Sequence, residues 1–259
     1  MIEEKESSIN GLKINYKIAG GGPAILVLHG WGGSSDSWIR VQEILAKNGY
    51  KVVCPDLPGF GKSQEPPNPW SNDDYLSFIF NFAEKLGLKE FFLIGHSFGG
   101  GLAVKFSVKY PKKVKSLILS DAAVIRKKRL TFRQRLAGFF ARVFNVPFFE
   151  KIIFYQWFRK LIYKLAGTYD YYLAKGVMKE TIKKVFTEDL THFLPQIKIP
   201  TLIIWGKEDM TLPSEDGFLI GKMIPNSKIE IIEGADHSPH LRTPENLVKI
   251  IIKFLESKI

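Results

Sequence analysis

With 259 residues, 45% of them hydrophobic and 24% charged, the chain has the make-up of a globular protein, which excludes intrinsic disorder, a collagen repeat and a coiled coil. Its length suits one large domain, or a domain carrying an insertion, with enough chain to bury a substantial core. A formal net charge of +11 leaves basic surface to be explained. The single cysteine, Cys54, excludes an intrachain disulfide and fits a reducing compartment. Residues Met1 to Glu6 are acidic where a secretory leader is basic and then apolar. No apolar run approaches the ~18 residues of a membrane span. The expectation is a soluble cytoplasmic protein.

Two short alternating stretches flank Asn10-Gly11, a favoured pair for a tight hairpin turn. Gly20-Gly21-Gly22-Pro23 then breaks the chain. Ala24 to Leu28 is continuously apolar, as a strand buried on both faces would be. Trp38, Val41 and Leu45 recur at helical spacing behind Ser37. Val52 to Cys54 reads as a strand and Tyr75 to Leu86 as a helix stopping at Gly87. Phe91 to Ile94 is a strand, Leu102 to Val108 a helix and Val114 to Leu119 a strand.

The composition then changes. Residues 126 to 190 hold 15 Lys+Arg against 5 Asp+Glu, and 15 of the 34 aromatic residues. The rest of the chain is nearly neutral. Two helical stripes are expected here: Phe132, Leu136, Phe139, Phe140, Val143 and Phe144, then Met178, Ile182, Val185 and Phe186. Alternation resumes with strands at Thr201 to Trp205 and Ile229 to Ile232. The last helix starts after Thr243, with Pro244 at its first position, and shows Leu247, Ile250, Ile251, Phe254 and Leu255 on one face. Strands alternating with helices imply a mostly parallel, doubly wound sheet.

Gly95-His96-Ser97-Phe98-Gly99 lies between a predicted strand and a predicted helix, the context in which G-x-S-x-G marks a nucleophile. A sharp turn there lifts the serine hydroxyl above the sheet, over helix-end amides. The flanking glycines leave room for close packing. A serine hydroxyl needs a base within hydrogen-bond reach. Of five histidines, His237 and His240 lie in the loop after the last strand and follow the serine in the required order. His29 sits in a His-Gly motif, His96 adjoins the serine at a turn where neighbouring side chains diverge, and His192 ends the basic segment. Asp209, Asp121, Asp236 and Asp56 are the candidates for the acid that orients the imidazole.

The chain resembles the α/β-hydrolase family over nearly its whole length. The resemblance rests on Gly95–Gly99, on His29-Gly30-Trp31-Gly32-Gly33, and on Asp56-Leu57-Pro58-Gly59-Phe60-Gly61-Lys62-Ser63. It rests also on Trp205-Gly206-Lys207-Glu208-Asp209 and on Gly234-Ala235-Asp236-His237-Ser238-Pro239-His240, each in the family's order. It implies an eight-stranded α/β sheet with helices on both faces and a helical cap inserted after the sixth strand. The domain boundaries expected are a core first part at 1–123, a cap at 124–194 and a core second part at 195–259. The resemblance implies Ser97 as nucleophile, His237 as base and Asp209 as acid, with Asp121 as rival because some relatives place the acid there. It assigns the oxyanion to the backbone amides of Trp31 and Phe98. His29 becomes structural, His240 a packing residue, Asp236 a loop cap and Asp56 a loop tie.

The expected activity is cleavage of a carboxylic ester with an apolar acyl part, in a pocket bounded by Trp31, Phe98, Phe139 and Phe140. The alternatives are a monoacylglycerol or lysophospholipid-type lipase, a C–C bond hydrolase using the same triad, and a ligand-binding receptor on a hydrolase fold. No metal, cofactor or nucleic-acid partner is expected: ligand spacing, a Walker loop and a dinucleotide fingerprint are all missing. The basic segment reads as a solvated cap, as a peripheral anionic-membrane contact through Arg129, Arg133, Arg135 and Arg142, or as a device steering acidic substrates.

Overall fold

The computed structural model describes residues 1–126 and 174–257. The stripe from Phe132 to Phe144, the four arginines 129, 133, 135 and 142, and the pocket candidates Phe139 and Phe140 lie outside the described residues.

The strands are β1 (Ile2–Ile9), β2 (Leu12–Ala19), β3 (Ala24–Leu28), β4 (Lys51–Pro55), β5 (Phe91–His96), β6 (Val114–Ser120), β7 (Thr201–Gly206) and β8 (Ser227–Ile232). They form one sheet in the order β1-β2-β4-β3-β5-β6-β7-β8. β1 pairs with β2, and β2 with β4, antiparallel; the other pairings are parallel. Asn10 and Gly11 turn the first hairpin with φ of 52° and 79°, the left-handed values that a type I′ turn demands of both residues.

The described helices of more than one turn are α1 (Ile39–Lys47), α2 (Asn72–Lys85), α3 (Phe98–Lys109), α4 (Gly176–Thr187), α5 (Ser214–Met223) and α6 (Pro244–Glu256). The period-2 geometry of the strands sends Ile25 and Val27 to one face of the sheet and Leu26 and Leu28 to the other. One face buries Trp38, Val41 and Leu45 of the α1 region with Leu247, Ile251 and Phe254 of α6. The opposite face buries Tyr75, Phe78 and Phe82 of α2 with Leu102, Val104 and Phe106 of α3. Covering both faces explains why the parallel strands read as unbroken apolar runs.

Three elements differ from the sequence expectation. The α1 region opens with a 3-10 turn at Ser35–Trp38 capped by Ser34, whose Oγ accepts from the Asp36 amide at 3.3 Å; Ser37 instead donates to the Ser34 carbonyl. Helix α2 starts three residues early because Ser71 and Asp74 form a reciprocal capping box, with aspartate where glutamate is the usual signal. Helix α5 was not expected, since Gly217 and Gly221 weaken a helical pattern. Gly217 has a packing reason: a Cβ there would lie 2.6 Å from the Trp205 ring.

Chain 174–200 returns to the sheet through α4, whose Thr181 hydroxyl accepts from the Trp70 amide at 3.1 Å. Just beyond α4, Glu188 bonds Asn72 at 2.8 Å. Buried Lys105 of α3 bonds both Asp73 (2.9 Å) and Glu188 (2.7 Å), which fastens this returning segment to α2 and α3. Burial pulls the Lys105 ammonium down, but Glu188 and Asp73 more than offset it and hold it above its ordinary value. None of the described helices is long and apolar enough to cross a membrane.

Candidate active site

The turns after β3, β5, β6, β7 and β8 meet at the carboxyl ends of the parallel strands, where doubly wound sheets place their sites. Ser97 follows β5 directly, with φ 50° and ψ −116°. That conformation is strained for a residue with a side chain, and its surroundings hold it. The Ser97 amide donates to the Ser120 carbonyl (3.1 Å), and the Ser97 carbonyl accepts from the amides of Gly100 (2.9 Å) and Ala123 (2.9 Å). The glycines around it are sterically required. A Cβ on Gly95 would lie 2.7 Å from Gly100 Cα, one on Gly99 would collide with the Leu28 carbonyl, and one on Gly100 would lie 2.5 Å from Ala122 Cβ. The turn is locked into the sheet while the hydroxyl side stays partly open.

Ser97 Oγ–H donates to His237 Nε2 at 3.0 Å, and His237 Nδ1–H donates to Asp209 Oδ2 at 2.7 Å. The other Asp209 oxygen accepts from the amides of Thr211 (2.7 Å) and Leu212 (2.9 Å), which fixes the carboxylate's orientation. Ser97, His237 and Asp209 thus form one hydrogen-bonded chain.

Asp121 also reaches this neighbourhood: its carboxylate, that of Asp209 and a His237 ring nitrogen lie within 4.8 Å of one another. Its hydrogen bonds go elsewhere. Oδ1 accepts from the Gly206 amide (2.8 Å) and Oδ2 from the Ser120 hydroxyl (2.9 Å). Burial pushes the Asp121 carboxyl up to about 7, against the downward pull of those two bonds. Asp121 therefore ties the end of β7 to the end of β6, just before the loop that carries Asp209.

The remaining histidines pack around this core. His29 Nε2 accepts from the Leu57 amide (2.9 Å), so Nδ1–H faces the Gly30 carbonyl (2.7 Å). Burial lowers its basicity. His96 does more than diverge from the serine. Its Nε2–H donates to the main-chain carbonyl of His237 at 2.7 Å, bracing the loop that presents that imidazole. Burial, followed by the neighbouring His240 and His237, depresses His96 well below its ordinary range. His240 stacks on Trp38 with ring centroids 4.5 Å apart, and burial holds it at about 3. Both rings are neutral spacers. His192 is exposed and lies tilted against Phe193, ring centroids 4.0 Å apart. No sequence pattern announces the His96 brace, because its partner is a backbone carbonyl 141 positions away.

Asp56 accepts from the Ser35 amide (2.6 Å), the Lys62 amide (2.9 Å) and Asn15 Nδ2 (2.9 Å). Burial pushes this carboxyl up, and those bonds more than reverse it. It ties the Ser35 turn and the Lys62 loop to β2. Asp236 caps its own loop through the Ser238 amide (2.9 Å).

Trp31 sits beside the serine turn, since a Cβ on the preceding Gly30 would lie 3.2 Å from Ser97 Cβ. Phe98 opens α3, so its amide has no intrahelical acceptor. Their rings pack 5.3 Å apart, and Trp31 also meets Phe60 (4.8 Å) and Phe186 (5.6 Å). A cavity of about 320 Å³ opens against Trp31, lined also by Phe60, Gly59, Glu65, Lys175 and Met178. A larger groove of about 590 Å³ between β8 and α6 shares no residue with this site.

A serine turn at the end of a central strand, met by histidine and aspartate from the last two strand ends, defines a hydrolase-type site on a doubly wound sheet. The chain belongs to the alpha/beta hydrolase fold family, whose family model matches residues 23–244. It is 31% identical to monoacylglycerol lipase ABHD6 of Homo sapiens over 256 residues, covering 91% of this chain and 76% of that protein. It is 30% identical to Lipase 1 of Psychrobacter immobilis, covering 84% and 72%. A crystal structure of a bacterial membrane phospholipase A superposes with a TM-score of 0.79 over 99% of this chain and 86% of that one; at 24% identity this shows a shared fold. The chain is a hydrolase-fold protein with lipase relatives.

Proposed function

We propose that the protein is a serine hydrolase that cleaves carboxylic esters through an acyl-enzyme. The observation that carries this reading is the chain Ser97 Oγ–His237–Asp209, with links of 3.0 and 2.7 Å. Ser97 Oγ attacks the ester carbonyl while His237 Nε2 takes its proton. The resulting oxyanion is held by the amides of Trp31 and Phe98, and losing one such donor costs about 3–4 kcal/mol of barrier stabilisation. His237 then delivers the proton to the leaving alcohol. Water, deprotonated by the same nitrogen, frees the acid and restores Ser97. Asp209 keeps the imidazole in the Nδ1–H tautomer and stabilises its cation.

The aromatic wall of Trp31, Phe98, Phe60 and Phe186 supports an apolar acyl portion. The similarity to a monoacylglycerol lipase favours a lipid ester over the other members of the class. The deciding experiment is a panel: p-nitrophenyl esters of rising acyl length, 1-oleoylglycerol, and a vinylogous diketone. Turnover of the esters, lost in Ser97→Ala, is the expected result. Turnover of the diketone alone would make the protein a C–C bond hydrolase. Covalent labelling by a fluorophosphonate without turnover of any panel member would make it a receptor.

A further inference from the structure

Lys17 and Lys105 are buried and neutralised, and a third cation, Arg126, is part-buried with its Nε withdrawn from solvent. Lys17 bonds Asp36 at 2.6 Å and Glu4 at 3.3 Å. Lys105 bonds Asp73 and Glu188. The third, Arg126, enters no ion pair among the described residues. Its Nε is fully buried and has no hydrogen-bond partner there. Its guanidinium carbon lies 4.7 Å over the face of the Phe186 ring.

The acids near Arg126 are already engaged. Glu188 gives one oxygen to Lys105 (2.7 Å) and the other to Asn72 (2.8 Å). Asp189 accepts from the Thr191 hydroxyl at 2.6 Å. Asp189 also accepts from the Arg126 backbone amide, yet burial lowers the Arg126 guanidinium and Asp189 and Glu188 only partly compensate. Arginine stays charged in proteins, so burial cannot be relieved by deprotonation. A ring face alone repays little of the desolvation of a charge, and a buried donor without an acceptor is rare in a native fold.

Its placement says which acceptor is missing. The Ala123 amide binds the Ser97 carbonyl at 2.9 Å, so Arg126 stands three residues along the chain from the serine turn. The ring beneath it, Phe186, packs 5.6 Å from Trp31 and 6.1 Å from Phe98. A single aromatic ring therefore separates the guanidinium from the two residues whose amides face the reacting carbonyl.

We propose that Arg126 is a specificity-determining residue that binds an anionic group, carboxylate or phosphate, carried by the ester substrate. This rests on the ester-hydrolase reading above. The planar fork of N–H donors matches either anion in two parallel bonds. The ring of Phe186 supplies the apolar floor for the carbons between ester and anion. The substrate is then amphipathic rather than neutral.

The test compares kcat/KM for matched pairs in the wild type, Arg126→Gln and Arg126→Lys. One pair is p-nitrophenyl butyrate and mono-p-nitrophenyl glutarate, which puts a carboxylate on the acyl side. The other is 1-oleoylglycerol and 1-oleoylglycerol 3-phosphate, which puts a phosphate on the alcohol side. The anionic-over-neutral ratio of one pair should fall about tenfold or more in Arg126→Gln, mainly through KM, as loss of a charged hydrogen bond implies. The pair that responds identifies the anion. Arg126→Lys keeps the charge and loses the fork, so its ratio should be intermediate; it also serves if the glutamine variant does not fold. Ratios that stay constant in both folded variants overturn the proposal, because a purely structural arginine would slow both members equally. Turnover of neutral esters with no anion preference in the wild type also overturns it and leaves the hydrolase reading standing. Absence of fluorophosphonate labelling in the wild type would overturn the hydrolase reading itself.

Discussion

The turns that end β6 and β7 each bring a buried aspartate toward His237, and the two carboxylates end in different states. At the β7 turn, Asp209 has one oxygen fixed by the amides of Thr211 and Leu212 and the other aimed at His237 Nδ1. At the β6 turn, both Asp121 oxygens are taken, by the Gly206 amide and the Ser120 hydroxyl. The first carboxylate is oriented by its own loop and left with a free lone pair for the imidazole. The second is spent on joining two strand ends, and burial lifts it to about 7. Proximity to a histidine does not assign a role; the donors already committed to each oxygen do.

The strongest way to break this contrast is to neutralise each acid in turn. Asp209→Asn should lower kcat for a p-nitrophenyl ester by ~10⁴, because the amide favours the wrong imidazole tautomer. Asp121→Asn should cost about tenfold or less, the scale of one lost hydrogen bond. Steady-state rates at pH 8 compare them directly, and a larger effect at Asp121 would transfer the orienting role to the β6 turn.

A second consequence concerns stability against pH. A carboxyl raised from 3.8 to about 7 on folding keeps its proton in the folded chain where the unfolded chain has lost it. Its contribution is full below about pH 4 and is lost as pH rises through about 7. Asp121→Asn cannot ionise, and asparagine tolerates the φ of 46° at this position. The melting temperature of Asp121→Asn relative to wild type should therefore climb between about pH 4 and pH 8, by about 2–4 °C per kcal/mol of relief. A difference that stays flat across that window would mean the carboxyl is already ionised in the folded state at low pH.

The smallest effect is expected at Ser120→Ala. It removes one hydrogen bond to Asp121 and should cost about 1 kcal/mol, or about 2–4 °C in melting temperature, while ester turnover stays within about twofold of wild type, since the hydroxyl touches neither Ser97 nor His237. A large fall in turnover would show that the β6 turn holds the Asp209 loop more tightly than the geometry implies.

Much of the architecture was legible because parallel strands buried on both faces leave unbroken apolar runs, as at Ala24–Leu28. The serine turn was legible because Gly95, Gly99 and Gly100 are demanded by atoms a Cβ would strike. The choice between Asp209 and Asp121 came from the family resemblance, not from any local signal. What pattern could not reveal depends on partners distant in the chain: the His96 brace on the His237 carbonyl, the Lys105 link to Glu188, and the seating of Arg126 over Phe186. Helix α5 was hidden because Gly217 serves the fit to Trp205 at the expense of helical pattern.

On the ester-hydrolase reading, Ser97 Oγ is the one nucleophile that forms a covalent intermediate. Phosphonylation of the wild type by a fluorophosphonate, followed by peptide mass mapping, tests it most directly. The account predicts one adduct, on the peptide that carries Ser97, absent in Ser97→Ala while the melting temperature of that variant stays near wild type. An adduct on another residue, or ester turnover that survives in Ser97→Ala, would contradict it.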